Sequence, residues 1–270
     1  MSNWDIGENV AGYFYKANSP RAQLLLQHGY GEYAERYIEQ YSQLIPKLVA
    51  NGIDVYAIDL PGHGNTTGER GQVDLTEAVR LHLMARKALP AGLPTVLFGH
   101  SLGGLVTATS LTRDRANVVA VILSSSAMQA PSKRWERVLG KISAALAPSA
   151  PMPLPRPGME ALTRDLVLLE KIKADPKMYQ GKPKNLVAKT VLEISDEVWT
   201  KVADWKVPTL IFHGNKDTST NHLNSMALHE KIASPDRKLL IYPGGFHELL
   251  NDLDHEEVEK DLFAWVLARV

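Results

Sequence analysis

Residues 95–111 read TVLFGHSLGGLVTATSL. An apolar run ends at Gly99-His100-Ser101-Leu102-Gly103-Gly104, and a helix-compatible pattern follows from 102 to 113. A strand that becomes a helix over so few residues must pass through a strained backbone, so the side chains two positions either side must be nearly absent. Gly99 and Gly103 meet that condition around Ser101. The turn lifts the hydroxyl above the strand ends at a helix N-terminus, whose orphan N–H groups favour developing negative charge.

Outward from this turn, short apolar runs predict further strands at 22–27 (AQLLLQ), 54–59 (DVYAID), 118–124 (VVAVILS), 209–214 (TLIFHG) and 238–243 (KLLIYP). Without polar alternation they read as strands buried on both faces of a parallel sheet. Helical patterns fall near 36–50, 73–89, 102–113, 222–233 and 255–268. Alternating strands and helices predict an α/β fold, a doubly wound and mostly parallel sheet. One segment breaks the rhythm: 127–205 has helical patterns, no strand signal and a proline cluster, APSAPMPLPRP, at 147–157. It predicts an inserted helical cap over the strand ends, where open α/β sheets bind ligands. The core then comprises 1–126 and 206–270.

A serine hydroxyl needs a base to take its proton. In this architecture an acid and then a histidine follow the serine in the chain, each after a late strand. Asp217 stands just past TLIFHG, and His247 lies in the glycine-led loop after KLLIYP. The expected roles are attack by Ser101, proton shuttling by His247, and orientation by Asp217. The negative oxygen needs N–H donors, expected from Leu102 and from Tyr30 in the loop that follows AQLLLQ. Glu32, Arg36 and His63 are expected to be hydrogen-bonded loop architecture. His100 is expected to support the turn through a buried hydrogen bond. His82, His213, His222, His229 and His255 are expected to be structural or solvent-facing.

The formal net charge is zero, so no global field favours nucleic acid or an anionic surface. Sparse aromatic residues without a basic stripe give no base-stacking surface. The absence of cysteine removes disulfides, thiolate metal sites and a cysteine nucleophile. No metal site is expected. The polar N-terminus and the lack of a long apolar window predict a cytoplasmic protein.

Several stretches together resemble the α/β-hydrolase superfamily, and within it the monoacylglycerol lipase and lysophospholipase-like branch of serine aminopeptidase S33-type hydrolases. They are HGYGEYAERY (28–37), DLPGHGNTTGERG (59–71), GHSLGG (99–104), HGNKD (213–217) and GGFHELLND (244–252), with a weaker match at 162–179. The resemblance implies a serine esterase acting on acyl esters of glycerol or lysophospholipids, without cofactor. A thioesterase, an aminopeptidase or a xenobiotic-ester hydrolase would use the same three residues, and a binding protein on this scaffold is the non-enzymatic alternative. Tyr33 and Thr66 stand where the family often has histidine and serine, and Thr218-Ser219-Thr220 replaces a bulkier or basic residue. The cap residues Leu139, Ile142, Leu146, Met152, Leu154 and Met159 read either as an acyl-chain entrance or as ordinary cap core. Of these, Met152, Leu154 and Met159 are the candidate substrate contacts. Lipid-surface contact through the cap is a further expectation.

Overall fold

The computed structural model describes residues 2–153 and 157–270. Its strands are β1 (Ser2–Asn3), β2 (Gly12–Tyr15), β3 (Ala22–Gln27), β4 (Ile53–Ile58), β5 (Thr95–His100), β6 (Val118–Ser124), β7 (Thr209–Gly214) and β8 (Arg237–Tyr242). They form one sheet in the order β1-β2-β4-β3-β5-β6-β7-β8. Pairing is parallel from β4 to β8, whereas β1 and β2 add an antiparallel edge. The helices are α1 (Arg36–Glu39), α2 (Leu44–Ala50), α3 (Leu75–Ala88), α4 (Leu102–Arg113), α5 (Arg134–Leu146), α6 (Leu166–Ala174), α7 (Asn185–Lys201), α8 (His222–Lys231) and α9 (His255–Leu267).

The unbroken apolar strand runs have a direct cause. Successive side chains leave a strand on opposite faces, and here both faces are covered. Leu25, Leu97, Val121 and Ile211 join one core with residues of α3, α4 and α7. Their neighbours Leu24, Leu26, Val96, Phe98, Ile122 and Phe212 join the other, with α2 and α9.

The 36–50 region differs from a single helix. It breaks into α1, a 3-10 turn over Tyr41–Gln43, and α2. Pro46 is the reason: inside a continuous helix its ring would clash with a carbonyl one turn back. The break is carried by left-handed backbone at Tyr41, Ser42 and Gln43, and Pro46 falls in the first turn of α2, where a missing N–H costs little.

Between β6 and β7 the described residues carry α5, α6 and α7 and no strand of the sheet. The segment is not detached, because Val187, Ile194 and Val198 of α7 are part of the main core. It also reaches both loops that flank Ser101. Tyr179 N–H donates to Gly31 O at 2.7 Å, and Glu248 N–H donates to Leu162 O at 2.8 Å. Among the described residues no helix is long and apolar enough to cross a membrane.

Candidate active site

Ser101 joins β5 to α4 with φ 52° and ψ −119°, a conformation that L residues rarely hold. The strain persists because its surroundings fix it. Ser101 N–H donates to Ser124 O at 2.9 Å, and Ser101 O accepts from Ala127 N–H at 2.9 Å. Gly103 lies so close to β3 that a Cβ there would stand 2.3 Å from the carbonyl oxygens of Gln27 and His28. His100 is fully buried with Nδ1 3.0 Å from Ser124 Oγ, as expected of a residue that supports the turn.

Ser101 Oγ lies 2.9 Å from His247 Nε2, and His247 Nδ1 lies 2.7 Å from Asp217 Oδ2. Residues 101, 217 and 247 thus meet in one line of hydrogen bonds. Asp217 Oδ1 accepts from the backbone N–H of Ser219 (2.7 Å) and Thr220 (3.0 Å), which fixes the carboxylate plane. Since an ionised carboxylate only accepts, His247 carries its proton on Nδ1 and presents a lone pair on Nε2 to the serine. Burial alone would raise the Asp217 pKa, but His247 and the hydrogen bond from His213 hold it well below the usual carboxylate range. Burial works against charge on His247, yet the Asp217 carboxylate, helped by Glu248 and Glu32, raises its pKa above 6.5. The neighbouring His100, ring centroids 4.9 Å away, is pushed down to about 4 by burial and by His247, so it stays neutral.

The loop after β3 approaches the serine without a side chain: a Cβ on Gly29 would stand 2.9 Å from Ser101 Cβ. His28 orients the next peptide unit. Its Nε2 accepts from Leu60 N–H at 2.9 Å, so its proton sits on Nδ1 and is donated to Gly29 O at 2.8 Å. The Gly29–Tyr30 peptide is trans, so pinning that carbonyl aims the Tyr30 N–H to the opposite side. Leu102 opens α4, so its N–H has no acceptor within the helix.

A buried charge network holds this loop against the histidine loop. Glu32 accepts from Gly29 N–H (2.6 Å), Tyr37 (3.0 Å), Tyr41 (2.9 Å) and Arg36 (2.7 Å). Arg36 also donates two hydrogen bonds of 3.0 Å to Glu248, next to His247. His63 is buried beside Tyr30 and held near a pKa of about 3, first by burial. Glu32 and Arg36 are hydrogen-bonded architecture, with Arg36 opening α1 and not lying in a loop, and His63 Nδ1 lies 2.9 Å from Pro61 O in its own loop.

Met152 and Met159 are half-buried in the segment between β6 and β7, while Leu154 lies outside the described residues. Leu139, Ile142 and Leu146 are exposed on α5 instead of forming its packed side. Two contacts on Asp217 escaped the sequence reading: that of His213, expected to be structural or solvent-facing and found fully buried, and that of Thr220, whose hydroxyl donates to Oδ2 at 2.7 Å. The signal for both was local, a histidine four residues before the acid and a hydroxyl three after it. Among the described residues no group of three or more His, Cys, Asp or Glu is placed to hold a metal ion.

Comparison with known proteins gives a consistent result. The chain matches the serine aminopeptidase S33 family over residues 18–254. A monoacylglycerol lipase of Mycolicibacterium smegmatis is 31% identical over 257 residues, covering 93% of this chain and 90% of that protein. A caffeoylshikimate esterase of Arabidopsis thaliana is 28% identical, covering 93% and 79%. The crystal structure of Paleococcus ferrophilus monoacylglycerol lipase superposes with a TM-score of 0.85 at 25% identity, covering 97% of this chain and 99% of that one.

Proposed function

Because the chain belongs to the serine aminopeptidase S33 family of α/β-hydrolases, in its monoacylglycerol lipase-like branch, and hydrolyses carboxylic esters, we propose that Ser101, His247 and Asp217 perform this hydrolysis on monoacylglycerols. The observation that carries the assignment is the line of hydrogen bonds from Ser101 Oγ through His247 to Asp217, at 2.9 and 2.7 Å.

The steps follow from the geometry. Ser101 Oγ attacks the ester carbonyl carbon while His247 Nε2 takes the hydroxyl proton. Charge gathers on the carbonyl oxygen, facing the N–H groups of Tyr30 and Leu102. Asp217 steadies the imidazolium, which returns its proton to the departing glycerol oxygen as the C–O bond breaks. Water, deprotonated by the same nitrogen, then attacks the acyl-serine and releases the fatty acid.

The segment 127–205 serves as a cap, a reading supported by its hydrogen bonds to both Gly31 and Glu248 on either side of the site. Met152 and Met159 line the acyl-chain path. Helix α5 meets the lipid surface that supplies the substrate. In support, Trp135, Val138, Leu139, Ile142 and Leu146 share one exposed face of α5, and the basic residues Lys133, Arg134, Arg137 and Lys141 are exposed on the same helix and its N-cap.

A fluorophosphonate probe should label the protein, and Ser101→Ala should abolish labelling and lower kcat by about 10⁴-fold or more. Labelling that survives Ser101→Ala would reject the nucleophile. A panel of monoacylglycerols, aryl esters, acyl-thioesters and aminoacyl amides decides the substrate class. Within it, Met152→Ser should raise KM for long acyl chains and spare acetate.

A further inference from the structure

We propose that His213, held by Ser225, is a positioning residue for the catalytic acid, sharing the Asp217 oxygen that accepts the hydrogen bond from His247 Nδ1–H. This inference rests on the assignment of Asp217 above. The carboxylate sits between two Ser–His pairs, Ser101–His247 on one side and Ser225–His213 on the other. His213 Nε2 lies 3.0 Å from Asp217 Oδ2, and His213 Nδ1 lies 2.8 Å from Ser225 Oγ on α8. The His213 side chain is fully buried.

The proton positions follow by elimination. Burial lowers the His213 pKa, with partial opposition from Asp217, so the ring is neutral and carries a single N–H. A carboxylate accepts only, so that N–H is on Nε2, and the Ser225 hydroxyl donates to Nδ1. The groups facing His213 are Asp217, Thr220, Ser225, His247 and the ring of His222 at 6.3 Å. None of them supplies an acceptor that would favour the other tautomer over a bond to the carboxylate.

The consequence concerns His247. Asp217 Oδ1 is occupied by two backbone N–H groups, so His247 Nδ1, His213 Nε2 and Thr220 Oγ1 converge on Oδ2. A carboxylate oxygen divided among three donors gives each a weaker bond than it would give one alone. His213 therefore keeps Asp217 ionised and fixed while limiting how far it raises the basicity of His247. The other charged or titratable groups facing His247 are Glu248, Glu32 and His100, and a His213 substitution changes none of them.

The test combines spectroscopy of the wild type with kinetics. Long-range ¹H–¹⁵N spectra should show His213 as the neutral Nε2–H tautomer from pH 7 to 9; an Nδ1–H tautomer or a charged ring in that range overturns the proposal. On p-nitrophenyl acetate, His213→Leu should lower kcat about tenfold, the effect of losing one hydrogen bond of ~1.4 kcal/mol. It should move the acidic limb of the pH–rate profile upward by about 0.5 unit and leave KM unchanged. His213→Gln, whose amide can both donate to Asp217 and accept from Ser225, should bring the limb back. An unmoved limb in His213→Leu, or a limb in His213→Gln that stays with the Leu variant, overturns the proposal. If His213→Leu does not fold, Ser225→Ala replaces it: the Nε2–H tautomer should persist on Asp217 while the acidic limb moves upward as His213 loses its hold, and an unmoved limb overturns the proposal. A fully active His247→Ala would instead reject the assignment of the three catalytic residues, so the two failures are distinct.

Discussion

His247 has to be neutral to accept the serine proton, and its surroundings favour the charged ring. Burial opposes that charge, but the Asp217 carboxylate outweighs it, with Glu248 and Glu32 adding to the pull. A raised pKa means that the base becomes available only as pH climbs past a midpoint above 6.5. We therefore expect kcat/KM to rise with pH through such a midpoint; a midpoint below 6.5, or a flat rate from pH 5 to 8, would contradict this electrostatic reading. At this scale the sequence was informative wherever chain position alone fixes a side chain. Ser101 sits between glycines, and Asp217 and His247 lie in loops after late strands, so the meeting of the three side chains was legible. The shared use of Asp217 by His213 and Thr220 was not, because it depends on how the 213–220 turn folds back on itself. His213 also lies in a strand where an inward-facing histidine reads as ordinary core.

At the scale of elements, the turn from β5 to α4 depends on how tightly α4 packs against β3. Gly103→Ala would drive a Cβ against two main-chain oxygens that cannot rotate away. We expect a loss of about 1–3 kcal/mol or more in urea unfolding, together with a fall in kcat as Ser101 shifts. Wild-type stability in this variant would show that α4 moves more freely than its packing implies. The sheet was legible because the runs β3 to β7 are largely buried on both faces, and β8, half-exposed at the far edge, still carries an apolar stretch. Short β1 and the four residues of β2 are edge elements, whose pairing comes from β4 and not from any pattern of their own. The break in 36–50 was marked by Pro46, but the left-handed residues that accommodate it have no signature in Tyr41-Ser42-Gln43.

At the scale of the whole molecule, the exposed face of α5 predicts attachment to lipid. Flotation with vesicles containing anionic phospholipid should carry the wild type upward, with a blue shift of Trp135 emission. Replacing Leu139 and Ile142 by serine should lower the bound fraction about tenfold, and equal flotation of both proteins would sink the idea. The segment 127–205 was legible as an interruption of the strand rhythm, but its attachment through α7 was not, since Val187, Ile194 and Val198 carry no mark of the main core they join. The Arg36 bridge reaches further still, because it joins Glu32 to Glu248, which stands 212 positions after Arg36 in the chain. During synthesis Arg36 and Glu32 leave the ribosome long before Glu248 exists. A nascent chain stopped short of that residue would have to bury Arg36 with one of its two carboxylate partners missing, a state that costs several kcal/mol, about 3–5 in comparable buried pairs. The loop that holds Tyr30 is therefore completed late in translation, together with the arrival of His247, and a truncated product should be recognised by the cell as unfolded before it can act on an ester.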